Sequence, residues 1–147
     1  MTFNNVPDNP WRLVKKVLPQ HTDHAGVMWH GAYIAWLEEA RVQALEMAGL
    51  PYEELTSQGF EMPVVRLNIK YLKAAIHGDE VVMESVHLSR NRLRLPWKTV
   101  FFKEGGEVIA IAEVELVLVK QEVGNTKLVK NVPLQVEEAL TNLRKGP

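Results

Sequence analysis

The chain has 147 residues, of which 46% are apolar and 24% are charged, and its formal net charge at pH 7 is -1. These values are typical of a single globular domain and give no strong field to attract nucleic acid or an anionic membrane surface, so we expect no nucleic-acid partner. Cysteine is absent, which excludes a disulfide framework, a catalytic thiol and thiolate metal ligands, and which is compatible with a cytoplasmic location.

Residues 1–10 are predicted to form a polar N-terminal tail, because they contain two prolines and lack the basic start and apolar stretch of a signal peptide. Residues 11–147 are predicted to form one domain, since no repeat or low-complexity linker interrupts them. The sequence contains no uninterrupted run of 18 apolar residues, so we expect no membrane span.

A strand at residues 11–18 and then a long helix are the first predicted elements. Apolar residues recur at steps of three and four between residues 31 and 48, as one face of a helix requires. They are Tyr33, Trp36, Leu37, Ala40, Ala44, Leu45 and Ala48. Gly49 lies where a left-handed cap belongs and Pro51 follows, so both indicate that the helix ends here. A short helix is expected at residues 52–58.

Beyond residue 59 the apolar period changes from 3.6 to 2, which predicts a half-buried strand at residues 65–71. The alternating apolar residues are Val65, Leu67, Ile69 and Tyr71. Three further strands with intervening turns are expected at residues 79–90, 93–103 and 107–120. A short strand at residues 127–129 and a helix that begins near Pro133 complete the prediction.

The order of one strand, a long helix and four antiparallel strands predicts an α+β domain. One helix can cover only one face of such a sheet, and Ile34 and Met47 extend the apolar surface of this helix almost all round. We therefore expect the sheet to curl around the helix. We also expect two chains to pair edge to edge, because pairing removes exposed strand edges. A homodimer is the smallest predicted assembly, and a homotetramer is the expected one.

Most of the chemically active residues precede the long helix, within the fourteen residues from Gln20 to Tyr33. They are His21, Asp23, His24, Gly26, His30 and Gly31. Asp23 lies before a helix N-terminus, where free backbone N–H groups can stabilise an oxyanion, and its carboxylate can act as base or nucleophile. A role in a turn or helix cap is an alternative for Asp23. Zinc or iron binding is an alternative for the whole group, although Pro19 and Gly26 argue against a continuous helix here.

Residues 22–41 read T-D-H-A-G-V-M-W-H-G-A-Y-I-A-W-L-E-E-A-R. This segment resembles the hotdog-fold thioesterases of the 4-hydroxybenzoyl-CoA thioesterase type, including the acyl-CoA thioesterases associated with the Tol-Pal system. The family pattern has an Asp, a small pair ending in Gly, an apolar-aromatic triplet, a His or Tyr, and a helix opened by Tyr that carries an acid and an Arg. The resemblance implies a hotdog fold, in which an antiparallel sheet of five or six strands wraps around one long central helix.

The resemblance also implies the roles of individual residues. Asp23 matches the catalytic carboxylate, and His30 matches the residue whose backbone N–H polarises the thioester carbonyl, with the imidazole as a further candidate donor. The predicted substrate-binding positions in this segment are Gly26, Trp29, Gly31 and Tyr33. Tyr33, Glu38 and Arg41 match helix positions of the family, for which a structural role is favoured over a chemical one. The implied mechanism uses no cofactor and no metal, and Asp23 either activates water or attacks to form a mixed anhydride. The pattern defines neither this choice nor the acyl group.

Coenzyme A carries phosphates, and Arg90, Arg92 and Arg94 alternate between two predicted strands. In a strand-like stretch these side chains would point to one face and provide a bidentate phosphate site, which Lys98 could extend. The resemblance supports this interpretation, because family members place basic residues of the corresponding strand near the nucleotide. The alternative is a solvated strand edge that the charges protect from pairing.

We therefore expect an acyl-CoA thioesterase that hydrolyses a thioester to a free acid and CoA. One alternative is a thioesterase acting on acyl-carrier protein, which the same loop would serve. Another is a non-catalytic hotdog protein that binds acyl-CoA, although pure binding does not need a carboxylate beside the carbonyl. A hydratase-type hotdog typically has a His five residues after the Asp, whereas His30 follows Asp23 by seven.

Overall fold

The computed structural model describes residues 9–147, so residues 1–8 of the predicted N-terminal tail lie outside the described residues. The described strands are β1 Trp11–Lys16, β2 Phe60–Glu61, β3 Val64–Tyr71, β4 Glu80–His87, β5 Arg94–Lys103, β6 Val108–Val117, β7 Val119–Glu122 and β8 Asn125–Leu128. The α-helices are α1 His30–Met47, α2 Tyr52–Ser57 and α3 Leu134–Lys145. The predicted α+β class is confirmed, and the predicted helix boundaries are correct to within one residue at each end of α1 and at the start of α3.

Five strands form one antiparallel sheet in the order β1-β4-β5-β6-β3, and α1 packs on one face of it, which we call the inner face. Side chains alternate between the two faces, so Met83, Phe101 and Ala110 lie side by side on the inner face of neighbouring strands. All three are fully buried. Burial of a side chain as large as Met83 or Phe101 contributes about 1.5–3 kcal/mol each, and this layer holds α1 on the sheet.

The end of α1 follows the sequence prediction closely. Gly49 adopts a φ of 104°, which glycine reaches without steric cost. Its N–H donates to the carbonyl of Glu46 at 3.1 Å, and the N–H of Leu50 donates to the carbonyl of Leu45 at 3.0 Å. These two bonds form a Schellman motif, which satisfies the last carbonyls of the helix and turns the chain towards α2.

The single long strand predicted at residues 107–120 is wrong, because the chain changes sheets at Leu118. β6 ends at Val117, and β7 joins a separate three-stranded sheet in the order β2-β7-β8. Val119 pairs with Leu128 in this second sheet, and Lys120 pairs with Phe60. Apolar alternation continues through the change, so the sequence pattern does not reveal that the strand acquires new neighbours.

β3 was predicted to be half-buried, but in a single chain it lies at the edge of the sheet and is largely exposed. Among the described strands it pairs only with β6, and Val65, Leu67 and Tyr71 on its inner face are 48%, 39% and 49% exposed. On α1, Ile34 is 42% exposed as well. A single helix is too narrow to cover all five strands, so the apolar pattern of β3 has no covering surface among the described residues.

His87, at the end of β4, is the most unusual buried group of the core. Its imidazole is 4% exposed, and its Nδ1 lies 3.1 Å from the carbonyl oxygen of Pro96. Nε2 has no hydrogen-bond partner among the described residues, and the ring packs against Trp97 at a centroid distance of 5.3 Å. Burial lowers the pKa of His87 to about 4, which the bond to Pro96 opposes and the nearby Arg144 reinforces.

The low pKa of His87 predicts a loss of stability in mild acid. The unfolded histidine titrates near 6.5 and the folded one near 4, so between these values the unfolded chain binds more protons and the free energy of unfolding falls as pH decreases. We expect His87 to contribute a loss of about 2 kcal/mol between about pH 7 and about pH 5. His87→Asn retains an N–H donor for Pro96 but cannot be protonated. Urea unfolding at several pH values in this range gives the free energy of unfolding as a function of pH. This free energy should fall less steeply with decreasing pH in the variant than in the wild type, and an equal fall would contradict the assignment.

Candidate active site

Residues 21–29 form a small hairpin that ends at Trp29, the residue immediately before α1. The N–H of Trp29 donates to the carbonyl of His21 at 3.0 Å, and the N–H of Asp23 donates to the carbonyl of Val27 at 2.9 Å. The N–H of Gly26 closes the turn on the carbonyl of Asp23 at 3.0 Å, with Gly26 at a φ of 82°. By this register Asp23 lies opposite Val27, two residues before the cap residue Trp29, which corresponds to roughly 7 Å of extended backbone.

The carboxylate of Asp23 is exposed, and the hairpin orients it through one oxygen. Oδ1 accepts the N–H of Ala25 at 2.8 Å and has a longer contact with the N–H of Val27 at 3.4 Å. Within residues 9–147, no hydrogen bond is made to Oδ2. The turn role that the sequence left open is thus correct for Oδ1. The same turn leaves Oδ2 available to a ligand.

The N-terminus of α1 offers backbone donors beside this carboxylate. Trp29 occupies the cap position and makes no side-chain capping bond, and no acidic residue lies in the first turn. The N–H groups of His30 and Gly31 have no acceptor in the described part of the chain, whereas the N–H of Ala32 donates to the carbonyl of Trp29 at 3.0 Å. Free N–H groups and the positive end of the helix dipole together form a site that suits a negative oxygen.

The side chain of Trp29 folds over this helix end. Its indole is 43% exposed and lies edge to face with His30, at a ring-centroid distance of 5.2 Å. A Cβ on Gly31 would fall within the van der Waals radius of the indole carbons, so the ring position requires glycine here. The structure therefore brings together Asp23, Gly26, Trp29, His30 and Gly31, as the sequence predicts, although their roles in binding and catalysis stay predictions.

The segment after β3 supports the hairpin through Asp79, a residue that the sequence analysis does not single out. The N–H of Met28 donates to the carbonyl of Ala75 at 2.8 Å. The carboxylate of Asp79 accepts the N–H of Ile76 at 2.9 Å and pairs with Lys103 at 3.1 Å. The pKa of Asp79 is lowered mainly by the Ile76 N–H, against a small effect of burial, with help from Lys103. An aspartate after glycine in a turn is a common backbone acceptor, and this is the signal that could have identified it.

Tyr33, a predicted substrate-binding residue, is buried between α1 and the sheet. Its ring lies edge to face with Tyr71 and with Phe101, each at a centroid distance of 5.1 Å. Burial raises the pKa of Tyr33 to about 12, with a smaller contribution from Tyr71. Tyr33 thus supports the half-exposed ring of Tyr71 from behind, and its contact with substrate stays a prediction.

The expected strand face for the three arginines is wrong, because Arg90 and Arg92 lie in the turn between β4 and β5 and only Arg94 belongs to a strand, as the first residue of β5. Arg92 has a φ of 57°, which no residue of a regular strand adopts. Arg90 pairs with Glu137 of α3 at 3.7 Å, and Arg94 pairs with Glu115 of β6 at 2.8 Å. The three side chains are therefore dispersed around a turn, and two of them already contact carboxylates.

The arginine turn lies at the opposite end of the sheet from Asp23. β4 begins at Glu80, next to the segment that holds the hairpin, and ends at His87, just before the turn. Eight residues of strand span roughly 25 Å. A single chain therefore does not bring Asp23 and Arg92 into one site.

The metal alternative receives no support from the geometry of the histidines. His21 accepts the N–H of Leu18 through Nδ1 at 3.0 Å, and its ring packs against Trp36 at a centroid distance of 5.1 Å. Within residues 9–147, no three His, Asp or Glu side chains are arranged to hold a metal ion.

None of the helices in residues 9–147 is long and apolar enough to cross a membrane.

Comparison with known proteins identifies the family. Residues 17–140 match the Thioesterase-like superfamily. A Synechocystis sp. protein named as a candidate esterase is 33% identical over 140 residues, which cover 95% of this chain and 83% of the relative. The chain belongs to the Thioesterase-like superfamily. The prediction of an enzyme of the thioesterase class is thereby confirmed at the level of the family.

Solved structures agree with this assignment. A DHNA-CoA thioesterase from Staphylococcus aureus superimposes with a TM-score of 0.80 at 26% identity, covering 91% of this chain and 90% of that protein. A hypothetical protein from Aquifex aeolicus gives a TM-score of 0.81 at 26% identity, with coverages of 89% and 99%. The predicted hotdog fold is confirmed, whereas the narrower 4-hydroxybenzoyl-CoA or Tol-Pal type stays a prediction.

The contact between Trp29 and Gly31 predicts that substitutions at these two positions are coupled. Alanine favours a helix over glycine, so Gly31→Ala should stabilise a Trp29→Ala chain by roughly 0.5–1 kcal/mol. In the wild-type chain the same change should give no gain or a loss, because the new Cβ displaces the indole. Urea unfolding of the four proteins forms a double-mutant cycle. Equal effects in both backgrounds would show that the ring does not rest on Gly31.

Proposed function

We propose that the protein hydrolyses an acyl-CoA thioester to a free acid and CoA, with Asp23 as the catalytic carboxylate. The observation that carries the proposal is the hairpin, which leaves one oxygen of Asp23 without a hydrogen bond within residues 9–147 and brings Asp23 to roughly 7 Å of backbone from the cap of α1. The N–H groups of His30 and Gly31 would form the oxyanion site. The family assignment and the similarity to a solved DHNA-CoA thioesterase support this substrate class.

The proposed chemistry needs only these groups, because a thioester is already an activated acyl donor. Asp23 either removes a proton from the attacking water or attacks the carbonyl carbon itself to form a mixed anhydride, which water then cleaves. In both routes the carbonyl electrons move to oxygen, where the backbone N–H groups of His30 and Gly31 stabilise the charge. Collapse of this intermediate expels the CoA thiolate. The His30 imidazole, exposed at the helix start, is a further candidate donor to the carbonyl oxygen.

The complete site is proposed to require two chains, because β3 leaves an apolar edge uncovered. The inner-face residues Val65, Leu67 and Tyr71 are exposed together with Ile34 of α1, and one edge of β3 carries unpaired backbone groups. Pairing β3 with its counterpart in a second copy would satisfy these groups and bury the apolar surface. A homodimer follows from this proposal, and the homotetramer stays a prediction.

Antiparallel pairing of β3 would also bring the arginine turn to Asp23 of the other chain. The start of β3 borders the arginine turn, since Val65 and Arg92 line the same open groove. The end of β3 borders the helix start, since Tyr71 contacts Tyr33. When two such strands run in opposite directions, the start of one lies beside the end of the other. The CoA phosphates would then be held by the partner's Arg92, with Arg90 and Arg94 nearby.

Replacement of the carboxylate tests the catalytic assignment. Asp23→Asn should reduce thioester hydrolysis by about a hundredfold or more, because the amide neither accepts a proton nor attacks the carbonyl. The measurement is thiol release from a panel of aromatic, naphthoyl and short aliphatic acyl-CoAs, with acyl-carrier-protein thioesters as a separate arm. His24→Gln, in the same exposed turn, is the matched control and should retain the wild-type rate. Full activity of Asp23→Asn, or no hydrolysis of any thioester by the wild type, would overturn the proposal.

Mixing two variants tests whether each site uses both chains. Arg92→Ala should raise KM for an acyl-CoA about tenfold through loss of a phosphate contact and leave hydrolysis of the matching acyl-pantetheine unchanged. A heterodimer of Asp23→Asn and Arg92→Ala chains contains one site in which both groups are intact. Mixing should therefore restore a wild-type KM, whereas sites built from one chain would show no restoration.

Disruption of the β3 edge provides the control for the mixing experiment. Leu67→Arg places a charge on the exposed inner face and should yield monomers by sedimentation, with no restoration on mixing. Asn68→Arg introduces the same charge on the opposite face of β3 and should leave the assembly intact. A Leu67→Arg chain that remains dimeric would show that copies do not pair through β3.

A further inference from the structure

A cavity separate from the Asp23 hairpin lies between α1, α2, α3 and the inner face of the sheet. The cavity is partly enclosed by these elements and partly open to solvent. Its apolar wall consists of Leu45, Met62, Trp97, Leu116, Leu140 and Leu143. Four of these six are no more than 4% exposed, so the wall is part of the protein core. A cavity with such a wall suits the apolar body of a small molecule.

The cavity also contains one cationic group, the guanidinium of Arg41. Across residues 9–147, Arg41 forms neither an ion pair nor a hydrogen bond with another side chain. Glu38 and Tyr52 line the same cavity but act on Arg41 only at longer range. Burial lowers the pKa of Arg41, and Glu38 and Tyr52 oppose that shift. An arginine nevertheless stays charged in proteins, so Arg41 brings a permanent positive charge to the cavity lining, and no carboxylate within residues 9–147 lies at ion-pair distance from it.

An unpaired guanidinium beside an apolar wall is chemically matched by an anion that carries an apolar body. A carboxylate offers two oxygens that fit the donor fork, and its hydrocarbon part would contact the leucines. We propose that this cavity binds a small carboxylic acid, aromatic or short aliphatic, with its carboxylate on Arg41. The cavity is separate from the N-terminus of α1 in the same chain, because Arg41 follows His30 by eleven residues on the same helix, or about 16 Å along its axis.

A carboxylate side chain from a second copy is the competing occupant of Arg41. Leu140 and Leu143 line the cavity together with Arg41, and a side chain that only paired with the guanidinium would leave this apolar wall uncovered. A small acid fills both parts, which is the reason to prefer it. Acids of this class are also the products of the proposed reaction. Binding at Arg41 does not require Asp23, so this proposal is independent of the proposed function.

Benzoate and benzyl alcohol form a matched pair of probes for calorimetric titration of the whole protein. Benzoate should bind the wild type at least about tenfold more tightly than benzyl alcohol, because only benzoate offers a charged acceptor. Arg41→Gln should weaken benzoate binding by a similar factor and leave benzyl alcohol unaffected. Arg92→Gln removes an arginine at another site and should change neither probe, and Asp23→Asn should also retain benzoate binding.

The location of the bound acid is measured on the unmodified protein. Trp97 lines the cavity and Trp29 lies at the helix start, so their indole N–H signals in NMR distinguish the two sites. Benzoate should shift the Trp97 signal and leave that of Trp29 unchanged. A shift of Trp29 alone, equal binding of the two probes, or no saturable benzoate binding would each overturn the proposal. If the wild type does not bind benzoate and the Arg41→Gln chain no longer forms a dimer, the arginine belongs to the subunit interface instead.

Discussion

The packing of α1 across the inner face of the sheet is the contact on which the other features depend. It buries Tyr33 against Phe101 and fixes the direction of the helix, so that its N-terminus points to the end of the sheet where residues 75–79 lie. The helix is too narrow for five strands, and β3 remains exposed along its apolar face. One packing contact therefore both defines the position of the candidate active site and creates the surface that a second copy is proposed to cover.

Asp23 illustrates how one residue can satisfy a structural and a chemical demand together. Its Oδ1 is bound by backbone N–H groups of the hairpin, which removes much of the rotational freedom of the carboxylate. An oriented carboxylate loses less entropy when it meets a substrate, and this is one of the larger sources of catalytic rate. Asp79 contributes to this orientation indirectly, because it anchors the segment on which the hairpin rests.

Two anion-directed positions are proposed on the same helix, and they differ in their physical basis. At the start of α1 the donors are backbone N–H groups, which are exposed to solvent and available to a charge that develops briefly during reaction. Eleven residues later the donor is a side chain with a permanent charge beside an apolar cavity, which favours a stable anionic ligand. A transient oxyanion suits the first arrangement, and a free acid suits the second.

The linear sequence was sufficient to predict the α+β order of elements, the boundaries of α1 and the grouping of Asp23, Gly26, Trp29, His30 and Gly31 around the start of the helix. These features depend on local periodicity, on glycine caps and on residues close together in the chain, all of which a linear pattern records. The apolar alternation of residues 65–71 also predicted the strand β3 correctly. It could not show that β3 lies at an edge, since alternation is the same whichever surface covers it.

The contacts between distant segments are visible only in the tertiary structure. The alternation of Arg90, Arg92 and Arg94 suggested a strand face, but a turn disperses them, because the left-handed conformation of Arg92 reverses the chain between two paired strands. The sequence pattern also did not reveal that Asp79 supports the hairpin or that Arg41 borders a cavity. Each depends on contacts between segments far apart in sequence, and no spacing of residues along the chain encodes such contacts.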